Sequence, residues 1–128
     1  MIPPRWFLLP AFLCASLLAA RSFRAPLPPL PTTVFSRYGP VKVDRVTRVE
    51  CGNLPSEKVV GCFSAKLGER RIQIADTLSL VVATFVLFHE KAHVAAWDYG
   101  MVFDDPEDAE RVANAMARYQ LAELLANP

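Results

Sequence analysis

Residues 78–100 read LSLVVATFVLFHEKAHVAAWDYG. The first half is apolar on every side, which suits a helix buried in a core rather than one lying on a surface. Asp76 or Thr77 can cap its start, and Gly100 stands where a helix end favours a left-handed residue. The pattern therefore predicts a helix from Asp76 or Thr77 to about Tyr99. His89-Glu90-Lys91-Ala92-His93 falls in its second half and uses both of the chain's histidines. Two imidazoles four residues apart project from one helical face and can share a zinc ion. Glu90 lies about 100° round the helix from His89, where it can reach a water on the metal rather than the metal itself.

A second helix follows. Asp105-Pro106-Glu107-Asp108 supplies a cap, a first-turn proline and acidic groups facing the positive helix end. The helix is expected to run to about Leu125, with Ala109, Val112, Ala113, Met116 and Ala117 as its apolar stripe. A catalytic zinc takes three protein ligands and leaves one position open. The extended pattern H-E-x-x-H-x-x-G-x-x-H fails, because Ala96 and Tyr99 stand where it needs Gly and His. The third ligand is therefore expected to be a carboxylate from Asp98, Asp104, Asp105, Glu107, Asp108 and Glu110. Asp98 points away from His93 on an intact helix, and Asp105 and Asp108 are explained by capping. Glu110 ranks first and Glu107 second. Glu110 lies a full turn into the helix, and Asn114 follows on the same face, placed to hydrogen-bond a ligating histidine.

Between residues 41 and 75 the pattern is β. Val41–Val49, Lys58–Lys66 and Arg71–Ala75 read as three strands of an antiparallel meander, with breaks at Gly52-Asn53, Pro55 and Leu67-Gly68-Glu69. The fold class expected is α+β, a small antiparallel sheet packed on two helices. Cys51 and Cys62 fall on neighbouring strands, as a disulfide suited to an oxidising compartment or as two buried thiols. A net charge of +1 and the lack of a basic patch give no case for nucleic acid.

Trp6–Ala20 is a 15-residue uncharged run preceded by Arg5 and followed by Arg21 and Arg24. Its length suits a signal peptide and is short for a spanning helix, which needs about 20 residues. Residues 1–24 are expected to be a signal peptide or a short membrane anchor, 25–33 (APLPPLPTT) a stiff proline-rich linker, and 34–128 the working domain. The expected location is exported or membrane-anchored through residues 6–20, with a cytoplasmic protein as the alternative.

The meander, the H-E-x-x-H helix and the following glutamate helix resemble a small zincin metallopeptidase of the gluzincin kind. Glu110-Arg111-Val112-Ala113-Asn114-Ala115-Met116-Ala117 is similar to the E-x-x-A-N-x-F-A helix of minimal ImmA-type peptidases and their phage-encoded relatives, with Met in place of Phe. The ending Glu123-Leu124-Leu125-Ala126-Asn127-Pro128 is similar to that family's leucine-leucine-proline finish. The likeness covers roughly residues 58–128, and the N-terminal apolar run departs from the cytosolic members. It implies Zn2+ held by His89, His93 and Glu110, Glu90 as the general base, and a peptide or protein as substrate. Tyr99, Tyr119 and Arg118 are the residues that could stabilise an oxyanion. The alternative is a catalytically inactive, zinc-stabilised interaction domain tethered to a membrane.

Overall fold

The computed structural model describes residues 27–52, 54, 58–66 and 68–127. The signal or anchor expected over 1–24 lies outside them. Among the described residues four strands and two helices follow in the order β1 (Thr33–Ser36), β2 (Gly39–Val46), β3 (Gly61–Lys66), β4 (Glu69–Ala75), α1 (Leu80–Asp98) and α2 (Pro106–Ala126). The α+β architecture of a small sheet packed on two helices is the one expected.

The sheet, however, is mixed rather than an antiparallel meander. Its order is β1-β2-β4-β3, with β1 antiparallel to β2, β3 antiparallel to β4, and β2 parallel to β4. The physical reason lies in the connection from residue 47 to residue 60. It is long enough to cross over rather than turn back as a hairpin, and β3 is laid down on the far side of β4, which makes β4 a central strand with both faces buried. Ile72, Gln73 and Ile74 are consequently all buried. Ile72 and Ile74 face α1 together with Val41 and Val43. Gln73 faces the crossing segment, where its amide accepts from Glu50 N–H at 3.1 Å and donates to Glu50 C=O at 3.2 Å. Those two bonds satisfy a polar side chain that alternation alone would assign to solvent.

β1 is a strand that the valine pattern did not announce. It precedes β2 in a tight hairpin at Gly39, whose φ is 110°. Leu30, in the proline-rich stretch, already packs on the core beside it.

α1 begins at Ser79 rather than Asp76 or Thr77. The Ser79 hydroxyl accepts from Val82 N–H at 3.4 Å. Asp76 and Thr77 instead belong to the loop before it, where the Arg45 guanidinium donates to Asp76 C=O and Leu78 C=O at 3.1 and 2.9 Å. The far end closes as anticipated at Gly100, at φ 64°. Gly100 N–H donates to Trp97 C=O and Met101 N–H to Ala96 C=O, the paired bonds of a left-handed helix stop. By length and composition α1 could cross a membrane, but half of that apolar window is buried inside the domain. Val86, Leu87 and Val94 pack on the sheet, while Phe85 turns toward α2.

α2 is capped by Asp105, which accepts from Glu107 N–H at 2.9 Å. Its buried row is Ala109, Ala113, Ala117 and Leu121. Val112 and Met116, expected in that stripe, are exposed instead. Alanines spaced by four let the two helix backbones approach closely, and the larger neighbours are left at the rim.

Candidate metal centre

Helix period alone stacks His89 under His93 on α1, and the antiparallel approach of α2 then brings Glu110 and Asn114 to them. His89 and His93 are both buried, and their Nε2 atoms lie 2.9 Å apart. Glu110 Oε2 is 3.1 Å from His89 Nε2, and Glu110 Oε1 is 3.0 Å from His93 Nε2. One ligand atom from each of the three residues falls within 4.8 Å of the others.

Asn114 fixes the proton on one of these rings. Its Oδ1 lies 3.1 Å from His89 Nδ1. An amide oxygen only accepts, so Nδ1 carries the hydrogen and Nε2 presents its lone pair to the cluster. Burial holds the His89 pKa below its ordinary value, which keeps the ring neutral and able to ligate. Burial pushes Glu110 the other way, but the imidazoles of His89 and His93 beside it outweigh burial, and its pKa is lowered. A lone pair, a second imidazole nitrogen and a carboxylate ionised at neutral pH thus converge on one point. That donor set, two nitrogens and an oxygen, fits a borderline-soft divalent cation such as zinc.

Glu90 stands beside this cluster, on the face turned toward β3. It is 1 % exposed. Burial pushes its pKa up to about 7, with His93 pulling it down, Glu110 pushing it up and a main-chain hydrogen bond from Phe63 lowering it. A buried carboxyl poised near neutral pH can accept and return a proton under working conditions.

The other carboxylates go elsewhere. Asp98 pairs with Arg70, Asp108 with Arg111, and Asp105 caps α2. Glu107 is exposed in the first turn. Of the side chains considered for an oxyanion, Tyr119 is exposed, and Tyr99 lies against Arg37, whose guanidinium carbon is 4.9 Å from its ring centre. Tyr99, Arg37, Lys91 and Met116 line a groove of about 250 Å³ on another face of α1 from the histidines. Arg118 is half-buried on α2 two turns beyond Glu110, with its Nε enclosed.

Sequence reasoning missed β3 as a wall of this site. Gly61 sits so close to α1 that a Cβ there would lie 2.4 Å from Val86 Cγ1 and 3.1 Å from Glu90 Oε1. The signal was a lone glycine inside a strand pattern, which marks a close backbone approach. Cys51 and Cys62 form a disulfide, with Cα atoms 5.9 Å apart. Comparison with protein-family models, with curated proteins and with solved structures finds no match to this chain.

Proposed function

We propose that this protein is a zinc-dependent metallopeptidase of the gluzincin kind, with His89, His93 and Glu110 holding the metal and Glu90 acting as general base. The observation that carries the reading is the convergence of two imidazole nitrogens and the Glu110 carboxylate within 4.8 Å, beside a buried glutamate. Zinc, when bound, supplies Lewis acidity, lowering the pKa of a coordinated water and polarising a carbonyl. Glu90 takes the proton of the attacking water on a carboxylate oxygen and returns it to the leaving amine nitrogen. Asn114 holds His89 in the ligating tautomer. β3 ends the sheet beside Glu90, and a sheet edge recognises an extended main chain through ladder hydrogen bonds, which favours a peptide as substrate.

The disulfide supports an exported location, since such bonds persist in oxidising compartments. The apolar run Trp6–Ala20 serves in this reading as the export signal or the tether.

The test is zinc content and casein hydrolysis measured together. Wild type is expected to carry about one zinc per chain and to lose hydrolysis to a chelator, regaining it on zinc addition. His93→Ala and Glu110→Ala are expected to lose both. Wild type that purifies without zinc and takes up none overturns the reading.

A further inference from the structure

Glu90 is held from the sheet side by main chain rather than by side chains. Gly61 passes close enough that even a methyl group has no room against Val86 and Glu90. Two residues on, the Phe63 main chain hydrogen-bonds the Glu90 carboxyl. Strand alternation turns Gly61 and Phe63 toward α1 and the residue between them, Cys62, to the opposite face of the sheet. There Cys62 is bonded to Cys51.

Cys51 is itself a fixed point. Glu50, just before it, is held through both main-chain groups by the Gln73 amide, and Gln73 on β4 is the register partner of Cys62. Val49, Cys51, Val59 and Cys62 close into a buried cluster behind the strand. Among the described residues β3 is a sheet edge with one hydrogen-bonded neighbour, so the disulfide adds a covalent restraint to that ladder and to the packing of β3 on α1. The metal-ligating atoms are independent of it. They come from α1 and α2, which are joined by Phe85, Ala117 and Leu121.

We propose that the Cys51–Cys62 disulfide is a brace for the general base: it presses Gly61 and Phe63 onto Glu90, so that reducing it disarms the site while leaving zinc in place. Gly61 and Phe63 are positioning residues that act through Glu90. Its consequence for activity rests on the metallopeptidase reading. The reductant is a dithiol. One thiolate attacks a cystine sulfur and expels the other cysteine as a thiolate, and the second thiol resolves the mixed disulfide. Two electrons pass to the cystine, giving two cysteine thiols and a cyclic disulfide of the reductant. Afterwards β3 keeps its ladder with β4 and its packing on α1 but loses the covalent tie to Cys51. A chain made in a reducing compartment and oxidised after export is then inactive until the bond closes.

The full chain, zinc-loaded, is compared as wild type, as Cys51→Ser/Cys62→Ser and as Gly61→Ala with the disulfide intact. Amide hydrogen exchange at Phe63 reads the contact without reference to catalysis. It is expected to accelerate about tenfold or more in both variants, with about one zinc per chain retained. Casein hydrolysis is expected to fall at least about tenfold, since misplacing a reacting group by an ångström costs on that scale or more. Unchanged Phe63 exchange in the cysteine variant overturns the brace. Unfolding or zinc loss in that variant overturns it equally, because the bond then holds the domain rather than the strand. A wild type that binds no zinc or hydrolyses nothing sinks the peptidase reading, and the exchange comparison still decides the brace.

Discussion

Glu90 and Asp98 are buried carboxylates two turns apart on one helix, and their surroundings treat them oppositely. They are 1 % and 7 % exposed, so burial does not separate them. Asp98 meets the guanidinium of Arg70, which also donates to Ser36 Oγ at 2.6 Å. That linkage ties α1 to β4 and β1, and nothing about it asks for chemistry. Glu90 has a glycine, a valine and a main-chain hydrogen bond around it, and its pKa is pushed up to about 7, chiefly by burial. Leaving a carboxyl in such a place costs stability that a leucine or glutamine would not. The contrast teaches that a buried acid is informative through its partners. One that has its cation is a clamp, and one without, next to converging imidazoles, is retained for what it can do.

The sharpest way to break this division is to neutralise each acid in the zinc-loaded protein. Glu90→Gln is expected to lower kcat for casein about 10²–10⁴-fold while zinc content stays unchanged. Asp98→Asn is expected to leave turnover within about threefold at temperatures where the protein stays folded. Equal losses in the two variants would erase the distinction. Next in size is the clamp itself. Arg70→Ala strands a buried charge at Asp98 and is expected to cost about 3–5 kcal/mol in urea unfolding. Adding Asp98→Asn to that variant is expected to recover much of the loss, and no recovery would mean that the pair is not the source of it.

A third measurement uses pH on the metal-free protein. Glu90 has its folded-state pKa raised to about 7 from 4.5. Below 4.5 both folded and unfolded forms hold the proton, and its stabilising contribution is complete. As pH rises toward 7 the unfolded form releases the proton first, and the contribution is lost through that window. Wild type is therefore expected to lose on the order of 3 kcal/mol relative to Glu90→Gln between pH 4.5 and pH 8. His89, with its lowered pKa, adds a loss on the acid side that both proteins share, so it drops out of the difference. A difference that stays flat with pH would show that Glu90 is not desolvated.

What was legible in the sequence is what local geometry encodes. His89, Glu90 and His93 declare their faces through helix period, and Glu110 with Asn114 declares a second face one turn apart. Asp105-Pro106 announced a start that the structure keeps, because capping is decided within four residues. The sheet order was not legible. A connection over residues 47–60 is compatible with a wide hairpin or with a crossover. The choice is made by burying both faces of β4, and its trace in the sequence is a glutamine that looks solvated. Gly61 went unremarked inside its strand pattern, because its partner Glu90 is almost thirty residues away and comes close only once β3 lies on α1. Val112 and Met116 misled for a related reason. Apolar period shows which residues could face a partner helix, while the size of Phe85 and the alanine row fixed which ones do.

Asn114 gives the smallest effect and the finest test of what orients the histidines beside Glu90. Its Oδ1 accepts from His89 Nδ1 at 3.1 Å, so it determines which His89 nitrogen is left to ligate. Asn114→Leu keeps most of the volume and removes the acceptor. The ring is then free to turn or to carry its proton on Nε2, and zinc affinity is expected to fall about 10–100-fold with the three ligands still in place. Asn114→Asp replaces the acceptor with a charged one and raises the basicity of the ring. Its affinity is expected to equal or exceed that of wild type, measured by competition with a chromophoric chelator. Asp98→Asn, made on the clamp at the end of the same helix, is the control and is expected to leave affinity unchanged. If Asn114→Leu binds zinc as tightly as wild type, the His89 tautomer is set by something other than α2. The two helices then matter to this site only through Glu110.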